Sequence, residues 1–179
     1  MNPRLVITDS YLQRIQIAVA AGDHAAPFRD FLDNWHAFEH GPPFITKGLR
    51  PIWFNNPCAW QQRDMLNAMH FVSADAREVL DRAKADTANF IALRMSKDAS
   101  TRLVVDHAIP LRVLRQRVFE DRALADTDAL KAYLKSHYRL AVITHAEDQR
   151  LNRLKLRSAM PGNWDGQNTW ARYEAAGIV

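Results

Sequence analysis

The sequence predicts an α+β fold that is mostly helical, with two short strands and one well-capped helix in its second half. Three observations lead there. Over the first hundred positions the apolar residues recur at helical spacing, broken by Gly and Pro rather than by strict alternation. Two short aliphatic runs, Leu103-Val104-Val105 and Leu140-Ala141-Val142-Ile143, read as buried strands. Directly after the second run, Thr144-His145-Ala146-Glu147 fits a capping box, in which a Thr side chain and a Glu three residues on satisfy each other's backbone amides.

At 179 residues the chain is long enough for one domain, or for a compact domain with a helical extension. The division expected from the pattern is a helical subdomain over 1–99 and a second domain over 100–179. No stretch approaches the length of a membrane span, and Asp9 interrupts the only apolar run near the start, so neither a span nor a leader is expected. A single cysteine, Cys58, allows no internal disulfide and no thiolate zinc site, and a cytoplasmic protein is the simplest expectation. The net charge is +4. Residues 1–100 balance 11 Lys and Arg against 11 Asp and Glu, whereas residues 101–179 carry 13 against 9. The excess therefore lies in the second half, which suits a polyanionic partner and equally suits an ordinary basic protein.

Taken in order, Thr8 or Asp9 caps a first helix through about Ala20, which Gly22 ends. Pro27 opens a second to about Phe38, with Phe28, Phe31, Leu32 and Trp35 as its apolar stripe. The proline-rich stretch 41–58 breaks regular structure, with a turn at Trp53-Phe54-Asn55-Asn56-Pro57. Helical pattern resumes from Ala59 to about His70, and Ser73 caps another helix to about Lys84. Residues 86–95 continue as helix or, at Phe90-Ile91-Ala92-Leu93, as strand. After the first strand, Pro110 starts a helix to about Asp121, and Asp126 or Thr127 caps one to His137. The capping-box helix runs from Thr144 to about Leu156, and a terminal helix from Asn168 to Ala176 is closed by Gly177.

The chemistry-bearing residues sit at the strand ends. Asp106-His107 closes the first strand just ahead of Pro110, placing a carboxylate beside an imidazole. On the capped helix, His145, Asp148, Gln149 and Asn152 share one face at three- and four-residue spacing. Asp148 lies in the first turn, where the helix dipole favours an ionised carboxylate.

Val105-Asp106-His107-Ala108-Ile109-Pro110-Leu111, followed by Val142-Ile143-Thr144-His145-Ala146-Glu147-Asp148-Gln149-Arg150-Leu151, resembles the HNH nucleases of the ββα-metal fold, of restriction or phage-associated type. The resemblance covers roughly residues 100–165 and implies a short two-stranded antiparallel sheet plus helix, carrying a helical insertion between the strands. It implies Asp106 as metal ligand, His107 as general base and Asp148 as the helix ligand, with Asn152 competing for that place. His137 and His145 are auxiliary candidates. The chain departs from the family in its long connection between the strands, in lacking the usual middle asparagine, and in lacking zinc-binding cysteine pairs.

The implied activity is metal-dependent hydrolysis of phosphodiesters in DNA, with RNA as an alternative. The implied cation is Mg²⁺, with Mn²⁺, Zn²⁺ or Ni²⁺ as alternatives. Arg150, Arg153, Lys155 and Arg157 are candidates for phosphate contacts. Two other expectations stand beside it: a nuclease toxin with an immunity partner, and a non-catalytic, helix-rich nucleic-acid-binding or adaptor protein in which Asp106 and His107 are structural. A homodimer is as compatible with the sequence as a monomer.

Overall fold

The computed structural model describes residues 3–40, 69–83 and 90–179. The expected proline-rich break, the turn at Trp53 and nearly all of the helix from Ala59 lie outside the described residues. The elements are α1 (Pro3–Ala20), α2 (Phe28–His40), β1 (Phe71–Val72), α3 (Ala74–Arg82), α4 (Phe90–Arg94), β2 (Leu103–His107), α5 (Leu111–Glu120), a 3-10 turn (Arg122–Ala125), α6 (Thr127–His137), β3 (Leu140–Thr144), α7 (His145–Arg153) and α8 (Ala171–Ala176). The fold is therefore α+β and mostly helical, with a small mixed sheet.

Two compact units make up the chain. One gathers α1, α2 and the segment from Arg115 to Lys135; the other gathers the three strands with the remaining helices. The expected boundary at residue 100 is not where these units divide. Residues between β2 and β3 cluster with the first two helices, and β1, α3 and α4 cluster with the strands that follow.

In the first unit, Leu12 and Ile15 of α1 and Phe28, Leu32, Trp35 and Phe38 of α2 are buried, whereas Phe31 of the stripe expected on α2 is only half-buried. Tyr11 stacks on Phe38 at 5.8 Å, and Phe119 takes His24 at 4.5 Å. Lys131 pairs with Asp9 at 3.2 Å.

In the second unit the strand order is β1-β3-β2, with β1 parallel and β2 antiparallel to the central strand. The sheet thus has three strands where the sequence pattern suggested two. Phe71-Val72 is too short to show a period. It is held from outside itself, by His70 N donating to Leu140 O at 2.9 Å and Ser73 N to Val142 O at 3.0 Å. All five residues of β3 are buried, as expected for a strand covered on both faces. Val104, Ala141 and Ile143 face Leu151 of α7 and Tyr173 and Ala176 of α8 in one apolar cluster.

α1 begins at Pro3, so Thr8 and Asp9 lie inside that helix instead of capping it, whereas the Ser73 and Thr144 caps form as expected. Ser73 Oγ accepts from Ala76 N at 3.1 Å at the start of α3, and Thr144 Oγ1 accepts from Glu147 N at 3.2 Å at the start of α7. α7 stops at Arg153, one turn before the expected Leu156, where Lys155 adopts a left-handed backbone (φ 60°). α8 begins at Ala171 rather than Asn168, because the Asp165 and Asn168 side chains bind nearby backbone amides and compete with the helix.

Candidate functional site

Strand register decides where the Asp106-His107 pair looks. Asp106 is opposite Ala141 and His107 opposite Leu140. Successive strand side chains point to opposite faces. Asp106 therefore lies on the face covered by α8, and His107 on the other, where its ring meets Tyr138 edge-on at 5.3 Å.

The partner of Asp106 is an arginine that sequence reasoning missed. Arg172 of α8 has no exposed surface and spends its whole guanidinium on this corner. Nε donates to Ala108 O at 2.7 Å and Nη1 to Leu156 O at 2.9 Å. Nη2 donates to the Asp106 carboxylate and to His107 O. The same carboxylate oxygen accepts from Tyr173 OH at 2.8 Å. Burial and the nearby Asp106 charge push the Tyr173 hydroxyl well above its ordinary pKa, so it remains a donor. Trp170-Ala171-Arg172-Tyr173 carried a faint signal, a cation set among aromatics beside an acid at a strand end that had no local counter-charge.

The helix residues lie elsewhere. α7 leaves β3 after Thr144, which pairs with Leu103, three positions along β2 from Asp106, or about 10 Å at the usual rise. Asp148 is buried in the first turn of α7 and pairs with Arg157, Nε to Oδ1, at 3.6 Å. His145 receives the Arg102 guanidinium, with Nη2 at 2.6 Å from Nδ1. Asn152 is exposed on the far turn. His137 is buried at the end of α6, with Nδ1 2.8 Å from Ser136 Oγ and Nε2 3.3 Å from Gly166 O.

A divalent ion needs several His, Cys, Asp or Glu groups converging on one point. Among the described residues no group of three does so. Asp106 and Asp148 each face their own guanidinium, and Arg172 fills with positive charge the position a cation would take beside Asp106. Among the described residues, the donor set around Asp106 and Asp148 therefore does not fit a bound metal.

A different carboxylate is the polar centre of this unit. Glu147 is buried, and its Oε2 accepts from Ser73 Oγ at 2.7 Å, Thr144 N at 2.7 Å and Thr144 Oγ1 at 3.0 Å. It thereby completes the cap of its own helix and ties in the cap of α3. Among the basic candidates, Arg150 Nη1 donates to Ala176 O and Gly177 O, satisfying the carbonyls at the end of α8. Arg153, the last residue of α7, and Lys155 just beyond it are exposed, and Arg157 is largely exposed with Asp148 behind it.

Comparison of the chain with protein-family models, with curated proteins and with solved structures finds no match in any of the three.

Proposed function

We propose that this chain is a nucleic-acid-binding protein that works without hydrolysing its ligand. On this reading β2, β3 and α7 form a ββα core carrying a helical insertion, and the Asp-His pair is structural. The observation that carries the proposal is the Asp106 carboxylate held by the buried Arg172 and by Tyr173, which commits to the fold the oxygen that a nuclease would give to a cation. Binding is assigned to the edge where α7 ends. There Arg153 and Lys155 make no ion pair with any described residue, and Arg157 projects from the same short segment with one acid against it. Exposed cations of this kind neutralise phosphates and release counterions, an affinity that is independent of sequence and falls steeply with salt.

The test is binding of labelled single- and double-stranded DNA, and of RNA, across a salt series, together with a plasmid-nicking assay with and without EDTA. Salt-dependent binding without nicking is expected. The slope of log affinity against log salt should fall by about 1 for each of Arg153→Gln and Lys155→Gln. Absence of binding to every one of these nucleic acids sinks the proposal.

A second reading, the metal-dependent endonuclease, is favoured by the chain order of β2, β3 and α7 with Asp106 and His107 closing the first strand. It requires Arg172 to yield Asp106 to a metal. EDTA-sensitive nicking that is lost in His107→Ala, with DNA binding retained, selects this reading over the first.

A further inference from the structure

The turn that leads into α8 and the exposed side of that helix enclose an open groove of about 420 Å³, whose lining includes Pro161, Trp164, Asp165, Asn168, Glu174 and Ala175. This volume falls within the range of small-ligand sites.

One residue organises its walls. Asn168 accepts from Trp164 Nε1 at 2.8 Å through its backbone oxygen, and its amide N–H donates to Asp165 Oδ1 at 2.9 Å. Its side chain accepts from Trp170 N at 3.0 Å and donates to Glu174 Oε2 at 2.8 Å. Trp164, Asp165 and Glu174 are therefore fixed before any ligand arrives. With its only polar atom spent on Asn168, the indole offers the groove carbon surface and a π face. The amides of Asn168 and Gln167 hold the Asp165 carboxyl below its usual range, so it is ionised at neutral pH.

Neither Asp165 nor Glu174 forms an ion pair with any described residue, although the chain as a whole carries a net charge of +4. Two uncompensated carboxylates beside an aromatic face repel phosphate. A bare divalent ion would have no use for the indole and would find too few oxygens. A cation with an apolar stem satisfies both halves of the lining at once.

We propose that this groove binds an organic cation, an alkylammonium or guanidinium group, with its charge between Asp165 and Glu174 and its stem against Trp164 and Pro161. Such a cation reaches the groove either as a free polyamine or as the Lys or Arg side chain of a peptide.

The test titrates the intact chain at low salt, by calorimetry and amide chemical shifts, with spermidine and separately with acetyl-Gly-Lys-Gly-amide and acetyl-Gly-Arg-Gly-amide. Saturable binding of spermidine alone assigns a polyamine, and binding of the peptides assigns a protein partner. Asp165→Asn with Glu174→Gln keeps the oxygens that the turn needs and removes only charge; it should weaken binding about tenfold. Trp164→Leu should weaken it about three- to tenfold. Both variants should keep the wild-type melting temperature and the nucleic-acid affinity of the Arg153–Lys155 edge. Absence of saturable binding by all three probes overturns the proposal, as does affinity unchanged in the neutral double variant of normal melting temperature.

Discussion

Arg172 and Asp106 stand 66 residues apart in the chain, yet the guanidinium of the first, wholly buried, closes on the carboxylate of the second, which is 20% exposed. Around that bond the same arginine gathers the carbonyls of His107, Ala108 and Leu156, so one side chain joins the end of β2, the loop after α7 and the first turn of α8.

Removing either charge alone should therefore be costly. Arg172→Met is expected to destabilise the fold by about 3 kcal/mol, the low end for a broken buried pair because Asp106 keeps some contact with water. Asp106→Asn should cost less, and the double variant should cost clearly less than the sum of the singles. Urea denaturation of the four proteins measures the coupling; strict additivity would mean that the pair contributes nothing.

Divalent cations should leave the protein's stability unchanged. A ligand that binds only the native state stabilises it by about 2.7 kcal/mol at a hundredfold excess over its Kd. Thermal melts with millimolar Mg²⁺ or Mn²⁺ and with EDTA should coincide. A rise in Tm with metal that disappears in Asp106→Asn would return the endonuclease reading to first place.

Alkali should unfold the protein through its buried phenols. Tyr173 is raised well above its ordinary value by burial and by Asp106, and burial pushes Tyr133 up to about 12. Because the native state holds these protons more tightly than the unfolded chain does, their contribution is complete below the unfolded value near 10. It is lost as the pH rises through the native values. Melting temperatures followed from neutral pH to pH 12 should begin to fall near pH 10, and Tyr173→Phe should flatten part of that fall. The total tyrosinate absorbance should lag behind that of free tyrosine until unfolding.

Ser73 and Glu147 should be energetically coupled. Ser73→Ala removes a cap worth about 1 kcal/mol and one donor to the buried carboxylate. Glu147→Ala should cost about 2–3 kcal/mol, since it leaves Thr144 N and Ser73 Oγ without their acceptor. A double-mutant cycle should return an interaction of about 0.5 kcal/mol or more. A value near zero would separate the two caps.

Legibility in the sequence followed the range of the interaction. Where the decisive contact is local, the residues announced it: Ser73 before α3, the Thr144–Glu147 box before α7 and Gly177 after α8 all act as their types require. The aliphatic runs of β2 and β3 were legible for the same reason. β1 was not, because two residues carry no period and its place is set by Leu140 and Val142 far along the chain. At the site, the adjacency of Asp106 and His107 is plain in the sequence, but their separation onto two faces is a matter of register. Arg172 was invisible, since a lone arginine on a short helix reads as solvated until the fold removes its water.

The placement of β3 has a kinetic consequence. It is the centre of the sheet, yet neither neighbour reaches it through a tight hairpin: His70, at the head of β1, meets Leu140 from 70 residues away, and α5 and α6 intervene between β2 and β3. Every backbone pairing in the sheet thus closes a long loop before it gains a bond, whereas the helices need only their own neighbours. Helical signal should accordingly return early in refolding, and burial of Tyr173 beneath the sheet should come late.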